Sequence, residues 1–178
     1  MSSSLQDIDF VHMGRSCLGH AARRTANLLT RHFNRHMAPL GLELTQCQLL
    51  AAIADGSAGS ASGIARFLGI DRSTLARNLK PLEAAGLIAR REAGGRRVLP
   101  VLTPAGERKV LEIHRTWQQA HAELGDLLGP EGADAVRAHM SALRKAVHIL
   151  EERTIAARSP GKDQSPGPPV GDTKQGRT

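Results

Sequence analysis

Residues 60–103 read SASGIARFLGIDRSTLARNLKPLEAAGLIARREAGGRRVLPVLT. This stretch predicts a helix, a tight turn, a second helix and a basic β-hairpin. Ile64, Ala65 and Leu68 share one face of the first helix. Gly69 ends it, because glycine tolerates the positive φ that a sharp turn requires. Asp71 follows as an N-cap. Leu75, Leu79 and Leu82 then recur at i, i+4 and i+7, which makes one buried stripe. The opposite face carries Arg72, Ser73, Thr74, Arg77, Asn78 and Lys80, and Gly86 closes the helix.

Two helices joined by a glycine turn, the second polar and basic at its start, have the form of a helix-turn-helix. A helix fits the DNA major groove, where Ser, Thr, Asn and Arg side chains reach base edges and Lys and Arg neutralise phosphate. The competing reading is an ordinary amphipathic hairpin with a solvated charged face. The residues after the second helix decide between them. Residues 87–103 place Arg90, Arg91, Arg96 and Arg97 around a Gly-Gly pair flanked by apolar residues, which signals a β-hairpin. An arginine-rich hairpin directly after such a helix is a wing, whose tip clasps phosphate or enters the minor groove. Pro100 has no N–H to donate, so its strand is an edge strand or bends there.

The charge balance agrees. The chain has 178 residues with 24 Lys and Arg against 17 acids, a formal net charge of +7. Between Arg66 and Arg97 stand eight basic residues and three acids, so most of the excess sits in this stretch. That concentration suits a polyanionic partner. There is no tyrosine and aromatics make up only 2%, which argues against single-strand binding by base stacking. Cys17 and Cys47 do not make a disulfide framework. No apolar run approaches the ~20 residues of a membrane span. The first ten residues lack the layout of a signal peptide, so no membrane partner and a cytoplasmic location are expected.

Outward from the central stretch, residues 1–14 read as a flexible arm. Residues 15–40 carry Leu18, Ala22, Ala26, Leu29, Phe33 and Met37 at spacings of three and four, a long amphipathic helix. A short helix over about residues 46–54 buries Leu49, Leu50 and Ile53 and opens a DNA-binding lobe over residues 41–103. Thr103 caps the next helix, with Pro104 at its first position. Residues 104–157 hold two apolar rows: Val110, Ile113, Trp117, Ala120, Leu124 and Leu127, then Val136, Met140, Leu143, Val147 and Leu150, with Gly129-Pro130 between them. Three long amphipathic helices around one small lobe offer more apolar face than one chain covers, so a homodimer is expected. Residues 158–178 have no periodicity and are expected to be disordered.

The ordered run of cues resembles the MarR family of winged-helix transcription regulators. The segments that carry the likeness are PLGLELTQCQLLAAI, GIARFLGIDRSTLARNLKPLEAAGLIARR and VLTPAGERKV. The resemblance spans about residues 15–150 and implies a mainly α winged helix-turn-helix dimer that binds duplex DNA at a pseudo-palindromic operator. On the polar face of the second helix Ser73, Thr74, Arg77 and Asn78 are the candidates for base readout and Arg72 and Lys80 for phosphate contacts, with Arg96 and Arg97 as wing contacts. The family often carries an Asp two residues before the wing-tip arginine; Gly94 stands there, two before Arg96, which implies a looser wing. The resemblance also implies a small-molecule effector, phenolic, carboxylate or thioester, held between the dimerisation helices and the DNA-binding lobe. His20, Arg24 and Cys47 are the candidates for that pocket. One branch of the family senses organic hydroperoxides through a cysteine near the first helix, which points to Cys17. That branch holds its thiolate with tyrosines, and this chain has none.

Two other classes stay in view: a cysteine-based redox regulator, and a helical interaction module that does not bind DNA. Signals for an enzyme are missing, with no nucleophile elbow, P-loop or dinucleotide turn. His32 and His36 are one helical turn apart, as metal ligands often are. No carboxylate or cysteine within a few residues completes a set, so neither a metal site nor a cofactor is expected.

Overall fold

The computed structural model describes residues 9–92 and 98–158. The elements in order are α1 (Phe10–Ser16), α2 (Leu18–Met37), a 3-10 turn (Ala38–Leu40), α3 (Leu44–Asp55), α4 (Ala61–Leu68), α5 (Arg72–Ala84), strands β1 (Ile88–Glu92) and β2 (Val98–Leu102), and α6 (Pro104–Arg158). This is the mainly helical architecture with a small hairpin that the sequence predicts.

The local signals hold where they are strongest. Ser60 caps α4 by accepting the Gly63 N–H at 2.9 Å. Gly69 has φ 65° and closes α4, with its N–H bonded to the carbonyls of Ala65 and Arg66. Asp71 caps α5. The hairpin pairs Ile88 with Leu102, Arg90 with Pro100 and Glu92 with Val98. Pro100 is tolerated because a two-stranded sheet has only edge strands.

The chain divides into two compact units, residues 1–127 and 128–178. The first contains the core, built from the end of α2 (Met37), α3 (Cys47, Leu49, Leu50, Ile53), α4 (Ile64, Ala65), α5 (Leu75, Leu82), the hairpin base (Leu87, Ile88) and Ile113 of α6. Leu79 is half-buried at its edge. In the second unit the helix carries Val136, Met140, Val147 and Leu150 as exposed apolar side chains. Gly129 interrupts α6 with non-helical φ 68° and ψ 166°, at the Gly-Pro step where the sequence predicts a stop. No single helix among the described residues is long and apolar enough to cross a membrane.

Two boundaries differ from expectation. Residues 1–14 read as a flexible arm and the long helix as starting near residue 15. Instead α1 already spans Phe10–Ser16, because Asp9 caps it by accepting the His12 N–H at 2.8 Å. The chain then breaks at Cys17 (φ −74°, ψ 107°), and α2 begins at Leu18. The arm's first eight residues, and residues 159–178 of the tail, lie outside the described residues. The short second helix begins at Leu44 rather than near residue 46, because Glu43 and Gln46 form a capping box.

Candidate nucleic-acid interface

The apolar face of α5 is pinned first. Leu75 and Leu82 are 3% and 0% exposed, so the rotation of α5 about its own axis is set by the core. The helix therefore turns Arg72, Ser73, Arg77 and Lys80 to solvent, while Thr74 and Asn78 are half-buried. Arg72, Lys80 and Glu83 of α5 line a groove shared with Arg90, Val98 and Pro100 of the hairpin, so helix and hairpin flank one surface groove.

At the start of α5 one carboxylate gathers three donors. Asp71 Oδ1 accepts the Ser73 hydroxyl at 2.6 Å and the Thr74 N–H at 2.7 Å, and Oδ2 accepts the Thr74 hydroxyl at 2.9 Å. The Ser73 hydroxyl, then the Thr74 N–H and hydroxyl, hold the Asp71 carboxyl well below the usual carboxylate range. This changes what the expected base readers have to offer. Ser73 and Thr74 commit their hydroxyl protons to Asp71, so each presents only acceptor lone pairs outward. In the major groove those match the amino groups of adenine and cytosine. Asn78 Nδ2–H donates to the Thr74 carbonyl at 2.9 Å, which leaves its amide oxygen less committed than its nitrogen. Arg77 is exposed, with Arg72 and Lys80 as the other charged donors of this face.

The wing joins α5 through an ion pair. Arg90 Nε–H and Nη2–H donate to Glu83 Oε1 and Oε2 at 2.8 and 3.2 Å. Of the hairpin arginines, Arg91 is exposed on β1. Arg96, Arg97 and Gly94 lie in residues 93–97, outside the described residues.

A second joint fixes α5 relative to α6. The Thr103 hydroxyl donates to the Gly86 carbonyl at 2.6 Å and accepts the Gly106 N–H at 3.1 Å, while the Thr103 N–H donates to the Leu87 carbonyl at 3.0 Å. A Cβ on Gly106 would stand 2.0 Å from that same Leu87 carbonyl oxygen, so only glycine permits the approach. The first turn of α6 is thus seated directly on the exit of α5.

The three candidates for an effector pocket separate. His20 and Arg24 line two adjacent surface grooves, one with Phe10, Val11 and Arg15 and the other with Arg23, Asn27 and Arg31. Cys47 lines neither. It is 2% exposed in the core, and burial pushes its thiol up to about 11. Cys17 is exposed at the N-cap of α2, and its sulfur accepts the His20 N–H at 3.4 Å. His32 and His36 do have a carboxylate beside them, but from far along the chain. Glu123 of α6 brings Oε2 to 3.0 Å from His36 Nε2 and 3.9 Å from His32 Nε2. Sequence reasoning missed Glu123, as it missed the Glu83–Arg90 pair. The first lies 87 residues from its partner; the second, only seven apart, had a readable signal in opposite charges flanking a short helix-to-strand turn.

A helix-turn-helix whose second helix exposes a basic face, followed at once by a β-hairpin, defines a winged helix-turn-helix protein. Comparison with known proteins shows a consistent likeness. Residues 40–97 match the model of the MarR family. The HTH-type transcriptional regulator YwoH of Bacillus subtilis (strain 168) is 29% identical over 96 residues, 53% of this chain and 70% of YwoH. The structure of the M. tuberculosis transcriptional regulator MosR superposes with a TM-score of 0.68 at 27% identity, covering 76% of this chain and 98% of that one. MosR in complex with DNA gives 0.67 at the same identity and coverage. BpsR of Bordetella bronchiseptica, solved in a study of the regulation of its DNA binding by 6-hydroxynicotinic acid, gives 0.65 at 25% identity, covering 73% of this chain and 95% of BpsR. The family match thus covers the helix-turn-helix and the hairpin, and the proteins that the chain resembles are transcription regulators.

Proposed function

We propose that the protein binds duplex DNA sequence-specifically as a homodimer on a pseudo-palindromic operator, represses transcription there, and is released by a small-molecule effector. The observation that carries the reading is the face of α5. Arg72, Arg77 and Lys80 are exposed on a helix whose other face, Leu75 and Leu82, is locked in the core. A helix held this way enters the major groove with its orientation already decided. Arg77 reads a base edge with Ser73, Thr74 and Asn78 beside it, Arg72 and Lys80 hold phosphate, and Arg96 and Arg97 extend the contact through the wing. The DNA complex of MosR supports the partner.

The homodimer rests on apolar rows left exposed among the described residues. Leu18, Leu28 and Leu29 of α2 are exposed, and so in the second unit are Val136, Met140, Val147 and Leu150. Rows of this kind bury against a second copy, which also supplies the symmetry of the operator. The effector reading draws on BpsR and on the His20–Arg24 grooves, whose arginines suit an anionic molecule. Such a ligand shifts a two-state equilibrium in half-site spacing.

Genomic footprinting of the purified protein identifies the operator, and fluorescence anisotropy then compares it with random duplex. Equal affinity for the two sinks the reading. The redox alternative rests on the exposed Cys17 at the start of α2. Under the proposal, mild peroxide changes operator binding little and Cys17→Ser retains it. Release of the wild type by peroxide, with the Ser variant resistant, makes the thiol the input instead.

A further inference from the structure

The cluster of His32, His36 and Glu123 is absorbed by neither the DNA-binding surface nor the effector grooves. We infer that these three side chains form a binding site for a first-row divalent cation of the zinc type, bridging α2 and α6. His32 and His36 stand one turn apart on the same face of α2, and Glu123 reaches them from α6. One imidazole nitrogen from each histidine and one carboxylate oxygen all lie within 4.8 Å of one another. A tetrahedral ion with bonds of ~2.0–2.1 Å needs ligand atoms about 3.3 Å apart. The His36 and His32 distances to Glu123 Oε2, 3.0 and 3.9 Å, bracket that value. Side-chain movements of about 1 Å or less therefore bring both histidines into bonding range of an ion held by Glu123.

The donor set selects the ion. Two imidazoles and a carboxylate suit zinc and its neighbours, whereas magnesium and calcium take oxygen ligands. Three protein ligands leave a fourth position for water or an added donor. The histidine side chains are 16% and 24% exposed and that of Glu123 is 57%, so the pair is shielded and the entrance lies on the Glu123 side. The His32 Nε2–H donates to the Ala120 carbonyl at 2.9 Å, and cation binding exchanges that bond for coordination. The plain alternative is a hydrogen-bonded His36–Glu123 pair that stitches two helices together and takes no ion.

The test uses the full chain with Zn2+ in competition with a chromophoric chelator, and Co2+ as a spectroscopic probe. The expected result is one Zn2+ per chain, unaffected by excess Mg2+ and by Cys17→Ser. The Co2+ complex should show d–d bands of four-coordinate intensity with no thiolate charge-transfer band. His32→Gln, His36→Gln and Glu123→Gln should each weaken Zn2+ at least tenfold and abolish the Co2+ spectrum while circular dichroism stays that of the wild type. Unchanged Zn2+ affinity in any one of the three variants overturns the three-ligand site. So does a lower melting temperature in Glu123→Gln with Zn2+ affinity intact, because that is the behaviour of a hydrogen-bonded pair alone. DNA binding is not read in this experiment, so its outcome is independent of the proposed function.

Discussion

Arg90 clasps Glu83 through two parallel hydrogen bonds, 2.8 and 3.2 Å long, and so ties β1 to the C-terminal half of α5. Helix α5 and the hairpin are thereby coupled through one ion pair. The same pair engages the guanidinium of Arg90, although the arginine side chain is 66% exposed.

Breaking this pair should change DNA binding more than stability. Solvent screens an exposed pair, so its contribution to folding is small. Glu83→Gln should therefore leave the urea midpoint close to that of the wild type. It should also release Arg90 toward phosphate. Each additional phosphate neutralised steepens log K against log salt by about 0.9. An unchanged slope in anisotropy titrations would show that Arg90 does not reach the backbone.

Arg77 and Lys80 should fail in different ways when truncated. Arg77 is exposed in the middle of the polar face of α5, and a bidentate arginine–guanine pairing discriminates by about 1–3 kcal/mol. Arg77→Ala should weaken the operator more than random DNA and relax one position per half-site. Lys80→Ala should weaken both by similar factors and reduce the salt slope by about 0.9 for each phosphate left unneutralised. Selection of binding sites from a random pool, run for each variant, reads the difference directly; the reverse pattern means the roles are assigned wrongly.

Gly106 and Gly125 both lie in α6 but should respond oppositely to alanine. A Cβ on Gly106 meets the Leu87 carbonyl oxygen at 2.0 Å, and backbone cannot swing aside as a side chain can. Overpacking of this kind costs about 1–3 kcal/mol. Nothing lies within 4 Å of a Cβ on Gly125. Gly125→Ala should thus gain about 0.5–1 kcal/mol from helix propensity. Thermal melts of the two variants against the wild type give the signs.

Asp71 sets an acid limit on the start of α5. Its folded-state pKa is depressed, foremost by the Ser73 hydroxyl and then by Thr74. A depressed carboxylate contributes stability that is fully present above its unfolded value of ~3.9 and is lost as pH falls through the lower folded value. The melting-temperature gap between wild type and Asp71→Ala should hence stay constant from pH 8 to about pH 5 and narrow only below about pH 4. A gap that closes near pH 6 would place the cap's ionisation elsewhere.

The apolar rows beyond Gly129 should be required for assembly. A chain ending at residue 129 lacks Val136, Met140, Val147 and Leu150, all exposed in the single chain. It should sediment as monomer or aggregate and fail to bind the operator. A chain ending at residue 158 should retain both properties. A soluble monomer from the shorter chain that still binds operator tightly would remove the case for the dimer.

The secondary elements around residues 60–103 are legible in the sequence because their signals are local. Asp71 caps α5 with donors two and three residues away, Gly69 turns the chain within one residue, and Thr103-Pro104 starts α6 within one turn. Capping, positive φ and apolar periodicity act over a few residues, so composition and spacing suffice to find them. The cap at Asp9 is of the same kind, and its signal was there to be read. Other features depend on how helices pack. Cys47 groups with His20 and Arg24 by sequence alone, but the apolar face of α3 carries it into the core. Ser73 and Thr74 look like free base readers, but one carboxylate takes both hydroxyl protons. His32 and His36 are an incomplete pair in the sequence, and Glu123 joins them only because α6 folds against α2. Hydrophobic burial decides which helices meet, because it is non-directional and sums over the whole chain. Which polar groups then face each other follows from that packing, and no short window of sequence contains it.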